Sequence, residues 1–314
     1  MTHPTHQTVV ALFAAVATLL VASGCIRDAT DGGASGGSGD RQVLVFATVP
    51  SDRPPGQWRD QQPIIEMLKK ETGKEIHFQV ATDYTAIIKG LREKKIDIAD
   101  LGPFSYVLVK QQGAEITAVA ARVDKKGEDP GYYSYGITQA DSPIRTLADF
   151  RGKKICFVDR NSTSGYLYPS AGLLAVGIEP EKDTTPFFAG RHDTSVLAVA
   201  NRQCDAGFAL DRMVDRQLIE QGLLQPSQIT PVWKSEKIPG PPLVIADHLD
   251  SGLHKQLTTI LQEKANADYL RANGFCQGEC KIADGFAYGY QPATDADYDS
   301  VREVCRVTQN KSCI

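Results

Sequence analysis

From residue 43 onward, apolar residues along the chain fall into two alternating rhythms. Short runs rich in branched or aromatic side chains have the length and composition of strands: 43–48 (VLVFAT), 76–80, 96–99, 132–138 (YYSYGIT), 154–158 (KICFV), 187–188, 206–210, 230–233 and 243–246. Helical spacing covers 63–71, 83–94, 103–112, 146–150, 164–176, 194–202, 211–221 and 253–265. In the second of these stretches, DYTAIIKGLREK, the spacing puts Ile87, Ile88 and Leu91 on one face. Strand followed by helix, repeated, predicts parallel βαβ units. The units form two sets. The expected fold is therefore α/β and bilobal, with two doubly wound lobes joined by a two-segment hinge. Residues 42–131 plus 243–314 make lobe 1, and residues 132–242 make lobe 2. The hinge crossings are expected at 131–136 (GYYSYG) and 239–243 (PGPPL), which hold the Gly and Pro a hinge can use. Residues 266–314 give no clear pattern.

The first forty residues stand apart from this rhythm. Residues 9–22 (VVALFAAVATLLVA) are apolar but too short for a comfortable membrane span, and they end in small residues, which reads as a signal peptide over residues 1–24. Ala22-Ser23-Gly24-Cys25 resembles the lipobox of bacterial lipoproteins, with Cys25 the lipidated residue. Ala22 stands where a leucine is usual, and residues 1–8 carry no Lys or Arg. Residues 26–40 (IRDATDGGASGGSGD) bury nothing and suit a tether, so 25–41 is expected to hold the folded part near a membrane. Setting Cys25 aside leaves six cysteines in an exported chain, which allow 15 pairings. We expect Cys156 with Cys204, and Cys276, Cys280, Cys305 and Cys313 among themselves. A metal site is not expected, because no histidine neighbours Cys276 or Cys280 and an oxidising compartment favours disulfides.

The formal net charge is −4, so the molecule as a whole does not attract anions and shows no basic patch for nucleic acid. Any anion site has to be built locally. Asp159-Arg160-Asn161-Ser162-Thr163-Ser164-Gly165 follows one predicted strand and opens one predicted helix. A helix start offers free N–H groups and the positive end of the helix dipole, and three successive hydroxyls add donors suited to a tetrahedral oxyanion. Any one of these hydroxyls also suits plain N-capping. Similar turns recur at Thr82-Asp83-Tyr84, at Gly102-Pro103-Phe104-Ser105 and at Gly190-Arg191-His192-Asp193-Thr194. His-Glu-x-x-His, P-loop and Gly-x-Ser-x-Gly motifs are absent, and Cys156 and Cys204 lack the setting of a reactive thiol, so an enzyme is not expected.

Five segments in order resemble the phosphonate-binding proteins of phosphonate and phosphite ABC importers. They are TDYTAIIKGLREKKIDIADLGPFSY, DPGYYSYGITQADSPIRTLADFRGKK, NSTSGYLYP, AGRHDTSVLAVANRQCDAG and WKSEKIPGPP. The resemblance implies the type II periplasmic binding-protein fold, in agreement with the bilobal pattern. It further implies capture of a small phosphorus oxyanion between the lobes, delivery to an ABC permease, a monomer and no cofactor. Carried over by position, it implies that Tyr84, Tyr132, Ser162, Thr163, Ser164 and His192 hold the phosphonyl group. Family members that bind aminoalkyl phosphonates hold the ammonium with acids. At those positions this chain has Arg212 and Pro241, and Asp211, one residue from the first, is counted with the expected ligand-binding residues. An ammonium tail then loses a partner, which favours a compact ligand such as phosphite or methylphosphonate. Phosphate or another anion is the alternative.

Overall fold

The computed structural model describes residues 42–278 and 280–313; the expected signal peptide, lipidated Cys25 and tether lie outside the described residues. The chain runs β1 (Val43–Thr48), α1 (Pro54–Thr72), β2 (Glu75–Val80), α2 (Tyr84–Arg92), β3 (Ile98–Asp100), α3 (Pro103–Gln111) and β4 (Ile116–Val123). A second set follows: β5 (Ser134–Gln139), β6 (Lys154–Phe157), a π-helical turn (Thr163–Leu167) leading into α4 (Tyr168–Ala175), β7 (Thr185–Phe188), α5 (His192–Ala200), β8 (Ala206–Leu210), α6 (Leu218–Glu220) and β9 (Ile229–Lys234). The chain closes with β10 (Pro242–Ala246), α7 (Ser251–Glu263), α8 (Ala267–Ala272), β11 (Gly289–Pro292) and α9 (Asp299–Thr308).

One sheet has the order β11-β4-β10-β3-β1-β2 and the other β7-β6-β8-β5-β9. β1 is parallel to β2 and β3, and β6 to β7 and β8, as the βαβ pattern predicts. The sheets are nevertheless mixed. β10 and β11 in the first sheet and β5 in the second run against their neighbours. β5 and β10 each follow a crossing between the sheets and so enter their sheet from the crossing side. The two crossing segments pair with each other: the Tyr132 N–H donates to Ile238 O at 3.0 Å and the Ile238 N–H to Tyr132 O at 2.9 Å.

Burial explains which strands the pattern could reveal. β10 lies between β3 and β4, and all of its residues are buried, giving the continuous apolar run PLVIA. Edge strand β2 shows the alternation of a half-covered strand. In the first sheet, Leu44, Phe46 and Leu243 pack with Ile64 and Leu68 of α1 and Leu257 and Leu261 of α7. A second cluster joins Ile87, Leu91 and Phe104 to Tyr168, Val196 and Leu210 of the other set, with Tyr298 and Val301 from the C-terminal region. Accordingly α9 packs against both α3 and α4.

Three elements differ from the sequence expectation. α1 begins at Pro54, nine residues before the predicted start, because Gln57, Asp60 and Gln61 occupy its inward face and break the apolar spacing. Pro63, expected to start the helix, lies inside it. β4 was not predicted: its inner positions include Ala118, Ala120 and Ala121, which carry little strand signal. The C-terminal region, silent in sequence, supplies α8, β11 and α9. Cys156 pairs with Cys204 as expected, and the C-terminal cysteines pair as Cys276–Cys280 and Cys305–Cys313.

Candidate functional site

The site is built from helix starts. Ser162 is extended, and its Oγ accepts the Gly165 N–H at 3.1 Å, which caps the π-helical turn. Gly165 is required by packing: a Cβ there would lie 2.3 Å from Val158 Cβ and 2.8 Å from Ser162 Oγ. Glycine thus lets the turn press onto the end of its own strand. The leading N–H groups of such a turn have no acceptor within the helix and face whatever lies in front of it. What lies in front is the start of α3. Thr163 Oγ1 accepts the Phe104 N–H at 2.9 Å, and Ser105 Oγ donates to Asn161 O at 3.0 Å. Two helix starts from opposite lobes therefore meet.

Further contacts hold the lobes together around this point. The His192 N–H donates to Ser51 O at 3.1 Å. Asp52 Oδ2 accepts Nε2 of both Gln217 and Gln221, each at 2.8 Å. Behind these contacts is a cavity of about 50 Å³. Tyr84, Tyr132, Ser162, Thr163, Ser164 and His192 all line it. Six residues from four separate stretches of the chain thus come to one place. Each is at least nine-tenths buried.

The donors are electrically neutral. Burial raises the Tyr84 and Tyr132 hydroxyls above the usual tyrosine range, so both keep their protons, and they lie within reach of Ser162 and of Thr163 and Ser164 respectively. Burial pulls His192 down to about 3, so its ring is neutral at physiological pH. Nδ1 of His192 accepts the Leu210 N–H at 3.0 Å, which fixes the proton on Nε2 and makes that atom a donor.

Asp211 does not join them. It lies outside the cavity wall, where Leu210 takes part instead, and its Oδ1 accepts the Arg212 N–H at 2.9 Å. Arg212 points away from the role an acid has in aminoalkyl phosphonate binding. Its guanidinium sits 5.6 Å from the centre of the Tyr132 ring and pairs with Asp124 and Asp284. Pro241 lines the cavity.

Sequence reasoning missed the opposite wall. Arg122 of β4, Asp100 at the end of β3 and Asp284 before β11 all line the cavity, together with Gln57 and Gln61 of α1. Arg122 Nη1 lies 3.3 Å from Asp284 Oδ2, and Arg122 Nε is buried without a hydrogen-bond partner. Although burial pulls against it, the carboxylates of Asp284 and Asp100 hold the Arg122 guanidinium protonated. A charged residue inside the otherwise apolar run ITAVAARV was the available signal for Arg122. Asp100 was signalled by its place at the carboxyl end of a parallel strand, where open α/β sheets bind ligands. Among the described residues no group of three or more His, Cys, Asp or Glu side chains is placed to hold a metal ion.

Comparison with known proteins places this architecture among others. The family model described as ABC transporter, phosphonate, periplasmic substrate-binding protein matches residues 46–298. The chain is 42% identical over 281 residues to the phosphate-import protein PhnD of Mycolicibacterium smegmatis, covering 87% of this chain and 88% of that one. A solved binding-protein component of an ABC phosphonate transporter from Pseudomonas aeruginosa aligns with a TM-score of 0.75 at 26% identity, covering 86% of this chain and 87% of the other. PhnD1 of Prochlorococcus marinus, solved with methylphosphonate, aligns with a TM-score of 0.74 at 21% identity, over 86% of this chain and all of the other (100%), and shares the fold.

Proposed function

The chain belongs to the family of periplasmic substrate-binding proteins of phosphonate ABC transporters, and from that premise we propose that its interlobe cavity captures one compact phosphorus oxyanion. The family consists of transport proteins, not enzymes. The observation that carries the reading is the convergence of Tyr84, Tyr132, Ser162, Thr163, Ser164 and His192 on one buried cavity with the Arg122 guanidinium opposite. Hydroxyls, turn N–H groups and one neutral imidazole supply donors, and Arg122 supplies the charge that the net −4 of the chain does not. Size agrees. A water needs roughly 10–15 Å³ of such space, so about 50 Å³ holds roughly four water-sized spheres, the bulk of a central atom with its oxygens. An ammonium-bearing tail has no room, and of the two cavity acids Asp284 is already engaged by two arginines while Asp100 accepts from Tyr290 and Gln61.

The relative in Mycolicibacterium smegmatis is named for phosphate import, which brings phosphate in beside phosphite and methylphosphonate as a candidate ligand. Calorimetry with phosphite, methylphosphonate, 2-aminoethylphosphonate, phosphate and sulfate tests the reading. Compact phosphorus anions are expected to bind at micromolar concentration or below, with 2-aminoethylphosphonate at least tenfold weaker. Binding of sulfate alone, or of nothing, overturns it. Thr163→Ala removes one hydroxyl from the cavity and is expected to weaken binding by about 1–3 kcal/mol, read from the same titrations. Loading in vivo takes place in the extracytoplasmic space, with the protein a monomer tethered through a lipid on Cys25 and delivering to its ABC permease. Cys25→Ser should release it from the membrane fraction.

A further inference from the structure

Two carboxylates in an anion cavity are unexpected, and their partners differ. Asp100 and Asp284 both line the cavity, at 4% and 5% exposure. Asp284 is a counter-ion: its Oδ2 sits 3.3 Å from Arg122 Nη1 and 3.5 Å from Arg212 Nε. Burial works against its ionised form, but the two arginines outweigh burial and hold its carboxyl below the usual carboxylate range. Asp100 has weaker support. Its Oδ2 accepts the Tyr290 hydroxyl at 2.7 Å and Gln61 Nε2 at 3.5 Å. Facing it are Gln61 from α1, Arg122 from β4, Tyr290 from β11 and Asp284 from the segment before β11. Burial raises its proton affinity, Asp284 adds to that, and Arg122 opposes it.

A bare carboxylate cannot sit beside a fully ionised oxyanion in a buried cavity without strong repulsion. A single proton between them turns that repulsion into a hydrogen bond to a charged group, which is of the strong kind. Resting on the reading that a phosphorus oxyanion occupies this cavity, we infer that Asp100 is a specificity-determining residue that holds one proton jointly with the bound anion. The site then takes anions that bring a proton near neutral pH and rejects sulfate and sulfonates. Phosphonates and phosphite lose their second proton only around pH 6–7 and readily regain it, and phosphate still carries a proton above that range. Sulfate and sulfonates, as anions of strong acids, hold none, and they bind only if Asp100 takes its proton from solvent. The proton remains shared in the complex, and no bond other than hydrogen bonds forms or breaks.

Calorimetry of the full chain at pH 7 with phosphate, methylphosphonate, sulfate and methanesulfonate supplies the test. The wild type is expected to bind its best phosphorus anion at least 100-fold more tightly than either sulfur anion. Asp100→Asn, whose amide N–H donates without any titratable proton being needed, is expected to narrow that gap at least tenfold through tighter sulfate binding. A folded Asp100→Asn protein with an unchanged gap overturns the inference. A wild-type experiment stands beside it in case the variant fails to fold. At pH 8, methylphosphonate is largely the proton-free dianion, so its titrations in two buffers of different ionisation enthalpy should show uptake of most of one proton per anion bound, whereas hydrogen phosphate brings its own proton and should show little. His192, held near 3, and the tyrosines, held above their usual range, do not titrate there, so the proton is assignable. Methylphosphonate binding without proton uptake, together with undiminished rejection of sulfate, overturns this inference alone. Absence of binding by every phosphorus anion overturns the functional reading with it.

Discussion

Replacing Arg122 with methionine is expected to cost about 3–5 kcal/mol of folding stability, the usual result of breaking a buried ion pair from one side. Arg122 and Asp284 have side chains only 11% and 4% exposed, so water cannot take over for the missing partner. Methionine fills most of the volume, which separates loss of charge from loss of packing. Two carboxylates lose by the change: Asp284 keeps Arg212 at 3.5 Å, and Asp100 loses the Arg122 charge that opposes its protonation. The check is urea unfolding of four proteins: wild type, Arg122→Met, Asp284→Asn and the double variant. If the pair is a unit, the double variant should recover at least about 1.5 kcal/mol relative to the sum of the single changes. A single-variant cost under about 1 kcal/mol, or strict additivity, would show that the pair is not coupled. Anion binding should fail in Arg122→Met whatever its stability, since the cavity's lining cation is gone.

How much of this was legible in the sequence follows from what each residue faces. Residues that face a core announce themselves by spacing, and so β1, β8, β10 and α2 stand close to where the pattern puts them. Residues that face the cavity break the pattern from the inside. Gln57 and Gln61 hide the first half of α1, and Arg122 interrupts β4. The donor wall was nevertheless readable, because hydroxyls crowded at a strand-to-helix turn have a local chemical meaning and because the family resemblance carried Tyr84, Tyr132 and His192. The opposite wall was not. Asp284 owes its role to Arg122 and Arg212, which arrive from two distant parts of the chain. No local rule connects those three positions. Asp211 was chosen on position alone, and one step along the helix start separates it from the cavity wall.

The second large effect is in the pH dependence of stability, and it comes from His192. In the unfolded chain this imidazole takes a proton near pH 6.5, while burial in the fold delays protonation until about pH 3. Between those values the unfolded state holds one more proton than the native state, so stability rises with pH across the window and is lost as pH falls from 6.5 toward 3. Each pH unit inside the window is worth about 1.4 kcal/mol, so lowering the pH from 7 to 4.5 should remove about 2–3 kcal/mol through this residue. His192→Gln keeps an acceptor for the Leu210 N–H that Nδ1 now takes, and it cannot titrate. Carboxylates elsewhere respond to acid in both proteins and cancel in the comparison. Urea unfolding at pH 7 and pH 4.5 should therefore show the wild type losing about 2–3 kcal/mol more than His192→Gln. Equal losses would mean that the imidazole is charged in the fold. Its Leu210 hydrogen bond would then have to be abandoned, because a protonated Nδ1 cannot accept, and His192 would face the anion as a cation rather than as a neutral donor.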